Sequence, residues 1–110
     1  MNAPIDPHAL AHELSERGLA WADANAAAEA LEETKSTVLA EIMAEHIHGG
    51  ATAAKAEILA KASKAYREHV DRMVSARKAA NRARVRFDTY KAFIELARSR
   101  ESTRRAEAKL

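Results

Sequence analysis

Histidines, serines and neighbouring carboxylates are where chemistry would have to be built in this chain, because it has no cysteine. That absence excludes a thiol nucleophile, a disulfide framework and cysteine-ligated zinc. His8, His12 and Glu16 follow one another at four-residue steps, which on a helix places them along one face where a metal ion could bind. They serve as readily as polar side chains at an exposed terminus, and no second ligand set accompanies them. His46 and His48 are two apart and point to different faces, where a cation suits the carbonyl end of a helix. His69 falls among apolar positions and reads as a packed or hydrogen-bonded core histidine. The serines, Ser15, Ser36, Ser63, Ser75, Ser99 and Ser102, lie in helix-forming contexts with no Gly-x-Ser-x-Gly elbow. Gly49-Gly50 lacks the following Lys and Ser/Thr of a phosphate-cradling loop, and Glu32-Glu33 are adjacent on a helix and do not converge. The residues specify no catalytic set, no metal and no cofactor. The expectation is a protein that acts by binding.

The elements that would carry such binding are helices. Ala accounts for 27 residues, and Val, Ile, Leu and Phe together for only 19, so the apolar content of 47% implies a thin core. Both prolines lie in the first seven residues, and Asp6-Pro7 is a helix start, with Asp as the N-cap and Pro at the first helical position. Gly49-Gly50 is the only double breaker, whereas Gly18 stands alone inside helix-forming sequence at a cost of about 1 kcal/mol relative to Ala. No stretch alternates as a strand would. The pattern predicts a helix over about 7–48, a turn at Gly49-Gly50, and helix over about 52–107 with a possible break near 63, where Ser63 could cap a fresh start.

Periodicity then orders the faces. Tyr66, His69, Met73, Ala76, Ala80, Ala83, Phe87, Tyr90, Ile94 and Ala97 recur at alternating steps of four and three, a heptad seam. Leu10, Leu14, Trp21, Ala24, Ala28, Leu31, Val38 and Ile42 form a rougher seam, interrupted by Arg17, Lys35 and Glu45. The fold class expected is all-α, a single domain over 1–110 built as an antiparallel helical hairpin or coiled coil. Val74, Val85 and Leu96 lie roughly opposite the long seam at eleven-residue spacing, and together with the thin core they point to a homodimer, a bundle formed with a second copy.

The charges divide by half. Residues 1–50 hold nine acids and two bases, and residues 51–110 sixteen bases and seven acids, although the whole chain carries only +2. An acidic helix facing a basic one would favour the antiparallel hairpin or a matching contact between chains. Arg77, Arg84, Lys91, Arg98 and Arg105 recur every seven residues as a cationic stripe beside the seam, suited to an anionic partner such as a nucleic acid or a nucleoprotein. Two other readings use the same charges. Glu29, Glu32, Glu33 and Glu41 on the acidic half could mimic a nucleic acid and inhibit a host nuclease, or the charge order could serve only to pair helices in a structural coiled coil. No apolar run is long enough for a membrane span, the N-terminus has no signal-like segment, and the basic helix lacks a broad apolar face for a lipid surface. A cytoplasmic location in a bacterial host is the corresponding expectation.

The segment Ala79-Ala80-Asn81-Arg82-Ala83-Arg84-Val85-Arg86-Phe87-Asp88-Thr89-Tyr90-Lys91-Ala92-Phe93-Ile94-Glu95, with Arg100-Glu101-Ser102-Thr103-Arg104-Arg105-Ala106-Glu107, resembles the C-terminal part of small helical accessory proteins of phages and prophages. Those proteins are often encoded among replication and recombination functions. The resemblance covers about a quarter of the chain and implies a viral accessory role, with no catalytic residues to carry over.

Overall fold

A computed structural model describes residues 6–110; Pro4 lies outside them. Four helices follow one another, α1 (Pro7–Glu33), α2 (Lys35–His48), α3 (Ala53–Ala62) and α4 (Lys64–Ala108). α1 runs antiparallel beside α4, and α2 packs on α3 across the glycine turn, giving a rod of 85 × 20 × 19 Å. Two helices side by side fill that cross-section. The all-α hairpin expected from the sequence is the fold.

Each helix boundary has a local chemical cause. Asp6 accepts from the His8 amide at 3.0 Å, and Pro7 opens α1 where no N–H is needed. Gly50 adopts φ +103°, a conformation that side chains rarely take, and turns the chain back. Ser63 ends α3 and starts α4 with one hydroxyl, which donates to the Ala60 carbonyl at 2.6 Å and accepts from the Tyr66 amide at 3.2 Å. The break near 63 is therefore real.

The single helix read over 7–48 requires correction, because it is divided at Thr34. The Thr34 hydroxyl donates to the carbonyls of Ala30 (2.9 Å) and Leu31 (3.2 Å), a back-bond that bends helices. Across the rod, the His69 ring nitrogen Nε2 donates to the Leu31 carbonyl at 2.8 Å. His69 is only 4% exposed, so this bond satisfies a buried donor and steadies the interruption. The bond requires the proton on Nε2.

The core is built of small residues. Ala28, Ala56, Ala60, Ala80 and Ala83 are buried with His69, and no large side chain among the described residues is fully buried. Aromatic contacts supply the bulk. Trp21 and Phe87 stack with ring centroids 5.8 Å apart, and Tyr90 meets Phe93 at 5.7 Å. Gly18 belongs to this contact, since a Cβ there would come within 3.2 Å of the Phe87 ring. Arg17, which interrupts the apolar pattern of α1, lies 4.5 Å over the Tyr90 ring and pairs with Glu13 at 2.7 Å. A cation thus occupies a seam position by covering an aromatic face.

Candidate nucleic-acid interface

Every residue of the α4 seam, from Tyr66 to Ala97, is buried or half-buried. Lettering the heptad with Met73 as a and Ala76 as d puts Arg77, Arg84, Lys91, Arg98 and Arg105 at e. In α1 the corresponding e positions are Glu32, Asn25, Gly18 and Ala11. In an antiparallel pair, e faces e, and the contacts confirm the register. Arg77 donates to both carboxylate oxygens of Glu32, at 3.0 and 2.6 Å, and to the Asn25 side-chain carbonyl at 2.8 Å. Gly18 adjoins Phe87, over whose ring Lys91 lies at 5.1 Å.

This register separates the predicted stripe into two parts. Arg77 is consumed by the fold. Its hydrogen bonds hold the Glu32 carboxyl below its ordinary pKa, and those same bonds raise the Arg77 guanidinium. Arg84, Lys91 and Arg98 face Asn25, Gly18 and Ala11, none of which can neutralise a cation, and Arg105 continues the row one heptad beyond the described part of α1. Among the described residues these four form no ion pair. The expectation that the acidic half would pair with the basic half is met at one place, Glu32–Arg77, which is the only ion pair between helices among the described residues. Of the other α1 acids, Glu29 at b adjoins the e edge, where it accepts from the Asn25 side-chain amide at 3.1 Å, and the rest take positions c, f and g, away from it.

At the open end of the rod, Arg98 and Arg105 rim a groove of about 490 Å³. Its floor is Leu10, Leu14, Ile94 and Ala97, and Glu101 lies between the two arginines. The candidate interface thus runs from Arg84 to Arg105, about 31 Å along α4.

Val74, Val85 and Leu96 are all exposed, at 60%, 59% and 52%. Their heptad letters are b, f and c, so the drift of the seam carries them from one flank of α4, across its back, to the other. All three point outward from the hairpin, and Val74 and Val85 line one shallow groove with Arg82 and Arg86. What the sequence reading left unassigned is the flank opposite the stripe. Position g there reads Arg72, Ala79, Arg86, Phe93 and Arg100, a seven-residue recurrence visible in the sequence but masked by the denser run of arginines around it. Of the carboxylates read as a nucleic-acid mimic, Glu29, Glu32 and Glu33 adjoin on one face of α1, where Glu32 is held by Arg77, and Glu41 lies on α2. His8, His12 and Glu16 are exposed on α1, and among the described residues no group of three His, Asp or Glu side chains is placed to hold a metal ion. No helix among them is long and apolar enough to cross a membrane. Set against known proteins, the chain matches no family model, no curated protein and no solved structure.

Proposed function

We propose that this protein is a non-enzymatic accessory that binds a nucleic acid, or the nucleic acid of a nucleoprotein complex, through the e edge of α4. One observation carries the reading: Arg84, Lys91 and Arg98 line up beside the α1 positions Asn25, Gly18 and Ala11, which hold no acid, and Arg105 continues their row. Their 31 Å span is close to one turn of duplex DNA, about 34 Å. The rod is 20 × 19 Å in section, too wide for a major groove of about 12 Å, so α4 lies on the phosphate backbone and does not read base edges. Binding of this kind is sequence-independent and steered by charge. The phage-type setting suggested by the resemblance accords with such a role.

The test is fluorescence anisotropy of labelled duplex and single-stranded DNA at several salt concentrations. Four phosphate contacts per chain give a slope of log K against log salt of about −3.6 for duplex. Arg84→Glu with Lys91→Glu should cut affinity at least ~10-fold and roughly halve that slope. Absence of binding at low salt would dismiss the reading.

A further inference from the structure

We infer that two copies of this chain pack face to face along the g flank, with α4 of each copy over α1 of the other. The inference is independent of nucleic-acid binding, which uses the opposite flank.

The flank has the composition of an interface. On α4, Phe93 and Leu96 are 53% and 52% exposed at positions g and c, beside Arg82, Arg86 and Arg100. On α1, the same flank carries Glu16 and Asp23, with Glu13 already paired to Arg17, among Ala20, Ala27 and Ala30. The α4 half is cationic with apolar knobs; the α1 half is anionic and smooth. Within one chain these charges do not meet, because the α1 positions directly facing Arg86 are Ala20 and Ala27 in the antiparallel register.

Symmetry settles how a second copy can meet them. Two identical flanks face each other across a two-fold axis lying between them. An axis perpendicular to the rod stacks α4 on α4 and sets arginines against arginines. An axis along the rod stacks α4 on the partner's α1, antiparallel, and brings cations over carboxylates. Rotation about that axis also preserves height along the rod, so the register is that of the hairpin itself. Phe87 lies level with Trp21 and Tyr90 with Arg17. Arg82 and Arg86 therefore flank the level of Asp23 in the second copy, and Phe93 comes over Glu13 and its neighbouring alanine surface. The flank is about 42 Å long from Arg72 to Arg100 and 20 Å wide. That is about 840 Å² per copy, the area of a standard interface. The surface is available, since the chain exposes 8362 Å², against roughly 6,000 Å² for a compact monomer of its size.

Sedimentation equilibrium of the full chain tests this. The expected mass is twice 12.1 kDa, falling toward one copy as salt is raised. The chain carrying Arg82→Glu and Arg86→Glu should be monomeric, as should the chain carrying Glu16→Arg and Asp23→Arg, each with helical content unchanged by circular dichroism. Mixed together, the two should form a dimer, because each basic flank then meets an acidic one. Misfolded variants would not recover on mixing. A wild-type mass of one copy at every concentration would overturn the inference. So would self-association that tightens as salt is raised, because like charges would then face each other, as they do when α4 packs on α4.

Discussion

The two flanks of α4 are both cationic, yet they have opposite surroundings. On the e flank, Arg84, Lys91 and Arg98 face Asn25, Gly18 and Ala11, and with Arg105 they form no ion pair among the described residues. On the g flank, Arg82, Arg86 and Arg100 share a surface with carboxylates of α1 that they do not reach in their own chain. What distinguishes them is the neighbouring helix and its register: a cation's role is decided by what lies across the seam from it. Arg77 makes the point within a single row, since one heptad separates an arginine spent on the fold from one open to solvent.

The strongest way to break the comparison is to remove the seam that both flanks depend on. Phe87→Ala deletes the stack with Trp21 and the ring beneath Lys91, and should cost about 3 kcal/mol in urea unfolding, with loss of both flanks' properties. Next in size is the separation of the flanks by charge. Arg84→Glu with Lys91→Glu should weaken DNA binding and leave the sedimentation mass unaltered, while Arg82→Glu with Arg86→Glu should do the reverse. If both pairs moved both readouts together, the flanks would not be distinct surfaces.

A smaller effect is expected at Gly18. Alanine gains about 1 kcal/mol in helix propensity. Its Cβ, however, would lie 3.2 Å from a ring that is already stacked on Trp21 and cannot retreat toward it. Crowding of that kind costs about 1–3 kcal/mol, so Gly18→Ala should lower the thermal midpoint despite its better propensity. The smallest effect belongs to Glu32. Its pKa is depressed in the folded chain by the hydrogen bonds from Arg77, so its contribution to stability is present above the ordinary glutamate pKa of about 4.3 and is lost as the pH falls through the folded value. Glu32→Gln should therefore lower stability slightly at neutrality, leave it unchanged at low pH, and so flatten the acid limb of stability measured against pH.

Much of this arrangement was legible in the sequence. Asp6-Pro7, Gly49-Gly50 and Ser63 each declare a boundary through local chemistry, and the α4 heptad identifies its buried face residue by residue. Thr34 gave no such signal. It lies among good helix formers, and the carbonyl freed there is satisfied by His69, 38 residues distant from Leu31 in sequence. Arg17 read as an interruption because its packing depends on the Tyr90 ring. The stripe itself was evident, but its division at Arg77 was not, since that requires the register between helices. Stepping seven residues back from Glu32 to Asn25, Gly18 and Ala11 would have revealed it.

The two helix interruptions have a joint mechanical meaning. Leu31 is level with His69, so Thr34 on one side of the hairpin and Ser63 on the other fall within about two helical turns of the same height. The segment between them, α2 with the glycine turn and α3, is thus joined to the rest of the rod by a bent helical link at Thr34 and an extended one at Ser63. The aromatic stack, the Arg77 clasp and the His69 bond all lie on the other side of this joint. Opening of the tip would leave all of them intact, so the amides of α2 and α3 should exchange with solvent before those of the shaft.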